Sequence, residues 1–320
     1  MTSFTPSELR FTRTERVTMG NPAAEVLVEQ ADAMGASRVF LLASKTLRQE
    51  TDEIAKIENA LGDRHAATFS GIASHAPRTD VLAATDAARD ARADLIVSIG
   101  GGSVTDAAKI VALLLKHDVR SIEDFEPLRT YVTEEGAVVN PITAGPDVPV
   151  ICVPTTLSGG EFNALSGATD EATQHKQGYE HRDMAPVMVV LDPRITVHTP
   201  EWLWLSTGVR SVDHAVETLS SDKSNDFANG LAESALGLLL EGLPRVKDAQ
   251  RHGLQRLFVH GLQVHEQVGV AVDDQHHRWR ADGGKPRDRS YSGRHLRCAA
   301  WLLLLRHVPL RPAMERRARR

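Results

Sequence analysis

The chain has 320 residues, 42% of them apolar and 25% charged, which supplies a core for one large domain or two ordinary ones and excludes a largely disordered or low-complexity chain. The amino-terminal stretch is polar, no run reaches the roughly 18 apolar residues of a membrane span, and Cys152 and Cys298 give no disulfide framework, so a soluble cytoplasmic protein is expected. The net charge of −5 is unevenly placed: residues 251–320 carry 15 Lys and Arg against 6 Asp and Glu, and residues 1–250 carry 22 against 36.

Residues 10–19 read as an edge strand. Over residues 22–34, Ala23, Val26, Leu27 and Ala31 recur at helical spacing, and Gly35 supplies the stop. Residues 39–43 are uniformly apolar, as a strand buried on both faces requires, and Ser44-Lys45-Thr46 follows at its end. A helix is expected over 47–61, a short strand over 66–69, a turn at Ser74-His75-Ala76-Pro77 and a helix over 80–92.

The most informative stretch begins at Asp94. Residues 95–99 are too short and too apolar for a surface helix and read as another buried strand. Gly100, Gly101, Gly102 and Ser103 then turn the chain into a helix over 104–116. Glycines without Cβ let backbone approach a ligand closely, and the free N–H groups of a helix start favour an anion such as phosphate. The pattern is neither GxGxxG followed by an acid nor a Walker loop, so the residues alone also allow a plain tight turn. Lys109, on the helix, either reaches a phosphate or is solvated.

Residues 121–140 are acidic and irregular, a surface excursion. A second apolar strand over 148–154 ends in Thr155, Thr156 and Ser158, hydroxyls that either meet the same ligand at the strand ends or cap a helix. Strands and helices alternating over short connections give a parallel, doubly wound sheet. Beyond residue 160, residues 164–173 are small and polar and 175–182 read as a loop; 187–191 form one more strand, closed by Asp192-Pro193. From Pro200 the reading is helical, with a further helix over 226–243, and Arg210 and His214 share one helix face at i and i+4.

The run from Gly100 to Lys109, the run from Val153 to Phe162, and the later Val190-Leu191-Asp192-Pro193 and residues 208–217 resemble the iron-containing alcohol dehydrogenase superfamily, and within it the maleylacetate reductases, over roughly residues 10–250. The resemblance implies an amino-terminal doubly wound, parallel-sheet α/β dinucleotide-binding domain over 1–160 and an incomplete α-helical catalytic domain over 161–250. It implies NADH or NADPH, with Gly100, Gly101, Gly102, Ser103 and Asp106 at the pyrophosphate and Thr155, Thr156 and Ser158 reaching the phosphates and the nicotinamide side. Ser44 falls in a loop near the cofactor; on its own residues that loop is equally a helix cap.

Arg210 and His214 are the catalytic expectations. In metal-dependent members the position of Arg210 is an Asp that binds the metal together with the His. Arginine cannot ligate a divalent cation and would repel one, so no metal is expected, whereas its fork suits the carboxylate of a small dicarboxylate substrate. Arg210 read alone is also a partner for Glu217 or a nearby acid, and His214 a satisfied helix histidine. The implied reaction is hydride transfer from NADH or NADPH to the carbon–carbon double bond of maleylacetate, giving 3-oxoadipate in aromatic-compound degradation. The implied assembly is a homodimer without nucleic-acid or membrane partners.

Past residue 250 the resemblance stops. The family's motifs of the form Ser-His-Gly-x-Gly-His and Pro-His-Gly-Tyr are absent from the chain as written. Residues 285–291 can be written AAG CCA CGG GAT CGG TCA TAC, a choice of synonymous codons that reads Ser-His-Gly-Ile-Gly-His when shifted one base. Residues 297–303, written with the synonymous codons CGA TGT GCC GCA TGG CTA CTG, shift to Asp-Val-Pro-His-Gly-Tyr, and residues 304–316 allow a third such match. The expectation is that translation leaves the frame between about residues 250 and 280, that the basic tail over 251–320 is poorly folded, and that the chain as written is inactive. The rival readings are a metal-dependent alcohol dehydrogenase, a catalytically dead nucleotide-binding remnant, and a nucleic-acid binder using the tail.

Overall fold

Strands that are apolar on both faces need helices on both sides, and the fold meets that need. The computed structural model describes residues 11–221 and 224–252, with side chains to residue 246. The chain runs β1 (Arg16–Met19), α1 (Ala23–Met34), β2 (Val39–Ala43), α2 (Lys45–Glu50), α3 (Glu53–Leu61), β3 (His65–Phe69), α4 (Arg78–Asp90), β4 (Leu95–Gly100) and α5 (Gly102–Lys116). A small hairpin, β5 (Tyr131–Val132) and β6 (Val138–Val139), precedes β7 (Val150–Pro154). A second hairpin, β8 (Leu165–Asp170) and β9 (His175–Glu180), precedes β10 (Met188–Leu191). Then come α6 (Pro193–Thr196), α7 (Glu201–Leu219) and α8 (Asp226–His252).

Six strands form one parallel sheet in the order β1-β10-β7-β4-β2-β3. The central strands β2, β4, β7 and β10 are buried along their whole length, while β3 and β1 at the edges are partly exposed. Side chains alternate between two cores, as strand geometry requires. Phe40, Leu42, Ile96 and Cys152 face α4 and α5; Val39, Leu41, Val97, Ile99 and Val153 face α1 and α3. Burial pushes the Cys152 thiol up to about 12, so it behaves as a small core residue. A third core gathers Leu157, Phe162 and Trp204 with Ala215, Ala235 and Leu239, packing α7 and α8 against Val189 and Leu191 of β10.

The winding places the site. From β2 the chain steps outward to β3, then crosses back over β2 to β4 and continues to β7 and β10. The direction of winding reverses between β2 and β4, where open α/β sheets form a crevice at their carboxyl ends. The registers Ala43↔Ile99 and Gly100↔Pro154 bring the ends of β2, β4 and β7 level.

Several local expectations need revision. The helix expected over 47–61 is two helices, parted at Thr51, whose hydroxyl donates to the Leu47 carbonyl and accepts from Glu53 N–H. The small, polar stretch and the loop expected after residue 160 are the antiparallel hairpin β8–β9. Its inward residues on β8 are Ser166, Ala168 and Asp170, so the alternation carries almost no hydrophobic contrast. The sheet also takes a strand, β10, from beyond residue 160. Asp192 secures it: its carboxylate accepts from Ala23 N–H at 2.8 Å and Arg194 N–H at 3.0 Å, tying the starts of α1 and α6 together. Expectations about residues 253–320, the shifted frame among them, lie outside the described residues.

Candidate functional site

The glycine turn and the hydroxyl loop meet at the carboxyl edge. Thr155 N–H donates to the Gly100 carbonyl at 3.0 Å, extending the β4–β7 ladder by one bond past the strands. A Cβ on Gly101 would stand 3.1 Å from Thr156 Cγ2, and one on Gly102 would stand 2.9 Å from Ser158 Oγ. The two loops therefore touch through backbone on one side and hydroxyl side chains on the other. Ser44 joins them, since its N–H donates to the Ile99 carbonyl at 2.8 Å. It occupies the cap position of α2 without a side-chain capping bond. Ser103 accepts from His75 N–H at 2.9 Å, which seats the turn at residues 74–77 against the start of α5. His75 and Ala76 in that turn have φ of 67° and 50°, a conformation that L side chains adopt rarely.

Two residues of α5 are otherwise engaged. The Asp106 carboxylate, expected at the pyrophosphate, holds Lys176 Nζ of β9 at 2.6 Å. Lys109 is neither solvated nor turned to a phosphate. It is fully buried, and its ammonium donates to the carbonyls of Gly160, Asn163 and Leu165 and to Asn163 Oδ1, at 2.7–3.1 Å. Sequence reasoning missed this cage, although one lysine in the otherwise apolar run of residues 107–114 was a usable signal.

Glu161, beside the cage, was also missed. Burial pushes its carboxyl up to about 8; Lys109 pulls it down and Asp106 pushes it up. The folded protein keeps a proton that the unfolded chain releases above 4.5. This contribution to stability is therefore complete below the unfolded value and is lost as pH rises through the folded one. Melting curves between about pH 5 and pH 9 should show the parent losing roughly 5 °C more than Glu161→Gln. Parallel curves for parent and variant would remove Glu161 as the source.

The hydroxyl loop is stapled to the helices that follow. Thr199 Oγ1 donates to the Thr155 carbonyl at 2.6 Å, Leu157 N–H donates to Thr207 Oγ1 at 3.1 Å, and Ser211 Oγ donates to the Leu157 carbonyl at 2.6 Å. Thr207, Ser211 and His214 follow one another at helical spacing, so His214 continues the stripe of α7 that grips the loop. Arg210 lies half-buried beside that stripe, and its guanidinium pairs with Asp213 one turn on. The acid that Arg210 meets is thus Asp213.

The family profile described as iron-containing alcohol dehydrogenase matches residues 14–193, more than half of the chain. "Dehydrogenase FUM7" of Gibberella moniliformis is 34% identical over 247 residues, covering 72% of this chain and 58% of that protein. "Maleylacetate reductase 1" of Cupriavidus pinatubonensis is 28% identical over 231 residues, covering 72% and 55%. The crystal structure of maleylacetate reductase from Rhizobium sp. superposes with a TM-score of 0.66 at 24% identity, covering 86% of this chain and 66% of that one, which shows a shared fold. The chain spans a little over half the length of these two curated relatives.

The match overturns the expectation of a metal-free protein, because the family's own description carries iron. One ground for that expectation, the repulsion of a cation by Arg210, is weakened by the Asp213 carboxylate, which offsets that charge. Among the described residues no group of three or more His, Cys, Asp or Glu could hold a metal ion, so they do not by themselves complete a site for iron.

Proposed function

Because the chain belongs to the iron-containing alcohol dehydrogenase family, whose members are NAD(P)-dependent oxidoreductases, we propose that its parallel sheet holds NADH or NADPH across the ends of β2, β4 and β7. The observation that carries this reading is the contact between glycine turn and hydroxyl loop at the reversal of winding. The backbone N–H groups of residues 101–103 open α5 and present its positive end to a pyrophosphate. Thr155, Thr156 and Ser158 line the other wall, with Ser44 at the margin. Asp106 acts from behind, by holding the β8–β9 hairpin through Lys176.

The finer reading is reduction of the carbon–carbon double bond of maleylacetate to 3-oxoadipate, in the cytoplasm, as a step of aromatic-compound breakdown. It is supported by the likeness to maleylacetate reductases and by Arg210, a cation able to bind a substrate carboxylate with two hydrogen bonds. His214 lies one turn further along the same helix. A second reading, oxidation or reduction at an alcohol or aldehyde, is favoured by the family description and by the 34% identical dehydrogenase. Among the described residues no helix is long and apolar enough to cross a membrane. A homodimer, and an out-of-frame tail that leaves this chain without turnover, belong to the same proposal.

Titration of the full chain with NADH, followed by nicotinamide fluorescence, is the direct test. Saturable binding in the micromolar range, roughly −8 kcal/mol, is expected, with no reduction of maleylacetate by the chain as written. Failure to saturate at about 1 mM, or about −4 kcal/mol, would remove the cofactor reading.

A further inference from the structure

We infer that Lys109 is a positioning residue, which fixes the path of the chain beyond the hydroxyl loop to the helix that opens on the glycine turn. The inference rests on the cofactor reading above and names the device that keeps the two loops in register. Lys109 sits on α5, six residues after Ser103, and is 0% exposed. A buried ammonium persists only when oxygen atoms replace its water. Here the oxygens include three backbone carbonyls and one amide oxygen from residues 160–165, the segment joining the hydroxyl loop to β8.

That set of partners is informative. A lysine needed only for packing could be an apolar residue, since residues 107, 108 and 110–114 of the same helix are apolar and buried. A point charge instead makes the carbonyls of Gly160, Asn163 and Leu165 converge on one atom, which selects one course for the backbone between Thr155–Ser158 and the hairpin. Asp106 on the preceding turn of α5 completes the clamp. It holds Lys176 of β9, and Gly160 packs against it, with a Cβ there standing 3.8 Å from Asp106 Oδ1. The Asp106–Lys109 pair thus binds β9 and the 160–165 segment to the helix whose start forms the phosphate turn. The two walls of the cradle are set with respect to each other before a ligand arrives.

The test compares the full chain with Lys109→Met and Asn163→Ala in NADH affinity, amide hydrogen exchange and thermal midpoint, at a temperature where each variant is folded. Lys109→Met is expected to weaken NADH binding at least about tenfold and to speed exchange across residues 155–165, with the amides of β2 and β4 unchanged. Asn163→Ala, which removes the side-chain amide acceptor, should weaken binding about two- to fivefold and speed exchange in the same segment. It decides the matter if Lys109→Met does not fold. A lowered midpoint with affinity and local exchange unchanged in the folded variants would overturn the inference and leave Lys109 a stability residue. If the parent itself binds no NADH, the cofactor reading fails, while the exchange comparison still decides what Lys109 holds.

Discussion

Replacing Gly102 by valine is expected to lower NADH affinity about a hundredfold, roughly 2.7 kcal/mol, while the thermal midpoint moves by only a few degrees. The first Cβ atom would already stand 2.9 Å from Ser158 Oγ and 3.3 Å from Ser158 Cβ. One atom at that distance is tolerable, because a serine hydroxyl can rotate away, so Gly102→Ala should cost about tenfold at most. Valine adds two methyl groups beyond that Cβ, at the junction of turn and loop where the pyrophosphate is proposed to bind. Gly102 begins α5 without a positive φ, so the backbone accepts valine and the fold survives. Gly100 makes the control. A Cβ there would stand 2.8 Å from Val104 Cγ2 inside the same turn, so Gly100→Ala should lower the melting temperature instead. NADH titration beside a circular-dichroism melt separates the two effects. Unchanged affinity in a folded Gly102→Val chain would place the cofactor elsewhere.

The sheet was legible because its signals are local. Residues 39–43, 95–99 and 187–191 are short apolar runs, and the structure turns them into strands with bounds within a residue or so of those read from the sequence. Gly35 marks the end of α1 for a backbone reason, with φ of 67° in the left-handed region. The site was legible in part. Its glycines and hydroxyls announce themselves by type, and their contact across β4 and β7 follows once the strands pair. What stayed hidden depends on partners distant in sequence. Lys109 meets carbonyls more than fifty positions away, and Asp106 meets Lys176 seventy positions on. The β8–β9 hairpin was hidden for a different reason: Ser166, Ala168 and Asp170 give a buried face no period that hydropathy can register. Arg210 shows the limit of reading charge by type. A nearby carboxylate, invisible in its role until the helix is built, changes what that guanidinium can repel.

Restoring the reading frame is expected to have the largest effect of all, raising NADH-dependent reduction of maleylacetate from background by at least about a hundredfold, the lower range for a supplied proton donor. Residues 285–291 and 297–303 can be written in codons that, shifted one base, spell two histidine motifs in the family's order. The same shift, in a GC-rich gene, would account for a tail with 15 Lys and Arg but a single lysine, Lys285, because out-of-frame reading of GC-rich codons yields arginine in preference to lysine. Resequencing from about codon 240 to the stop decides the premise, and one inserted or deleted base is the expected finding. The repaired chain then discriminates between substrates. Turnover of maleylacetate supports Arg210 as the carboxylate clamp, and Arg210→Ala should raise KM more than it lowers kcat, as loss of uniform binding does. Turnover of simple alcohols or aldehydes alone would favour the second reading, and metal analysis of the same preparation would show whether iron accompanies it. An intact frame in the DNA would make the arginine-rich tail genuine, and the catalytic reading would fall while the cofactor cradle stood on its own test.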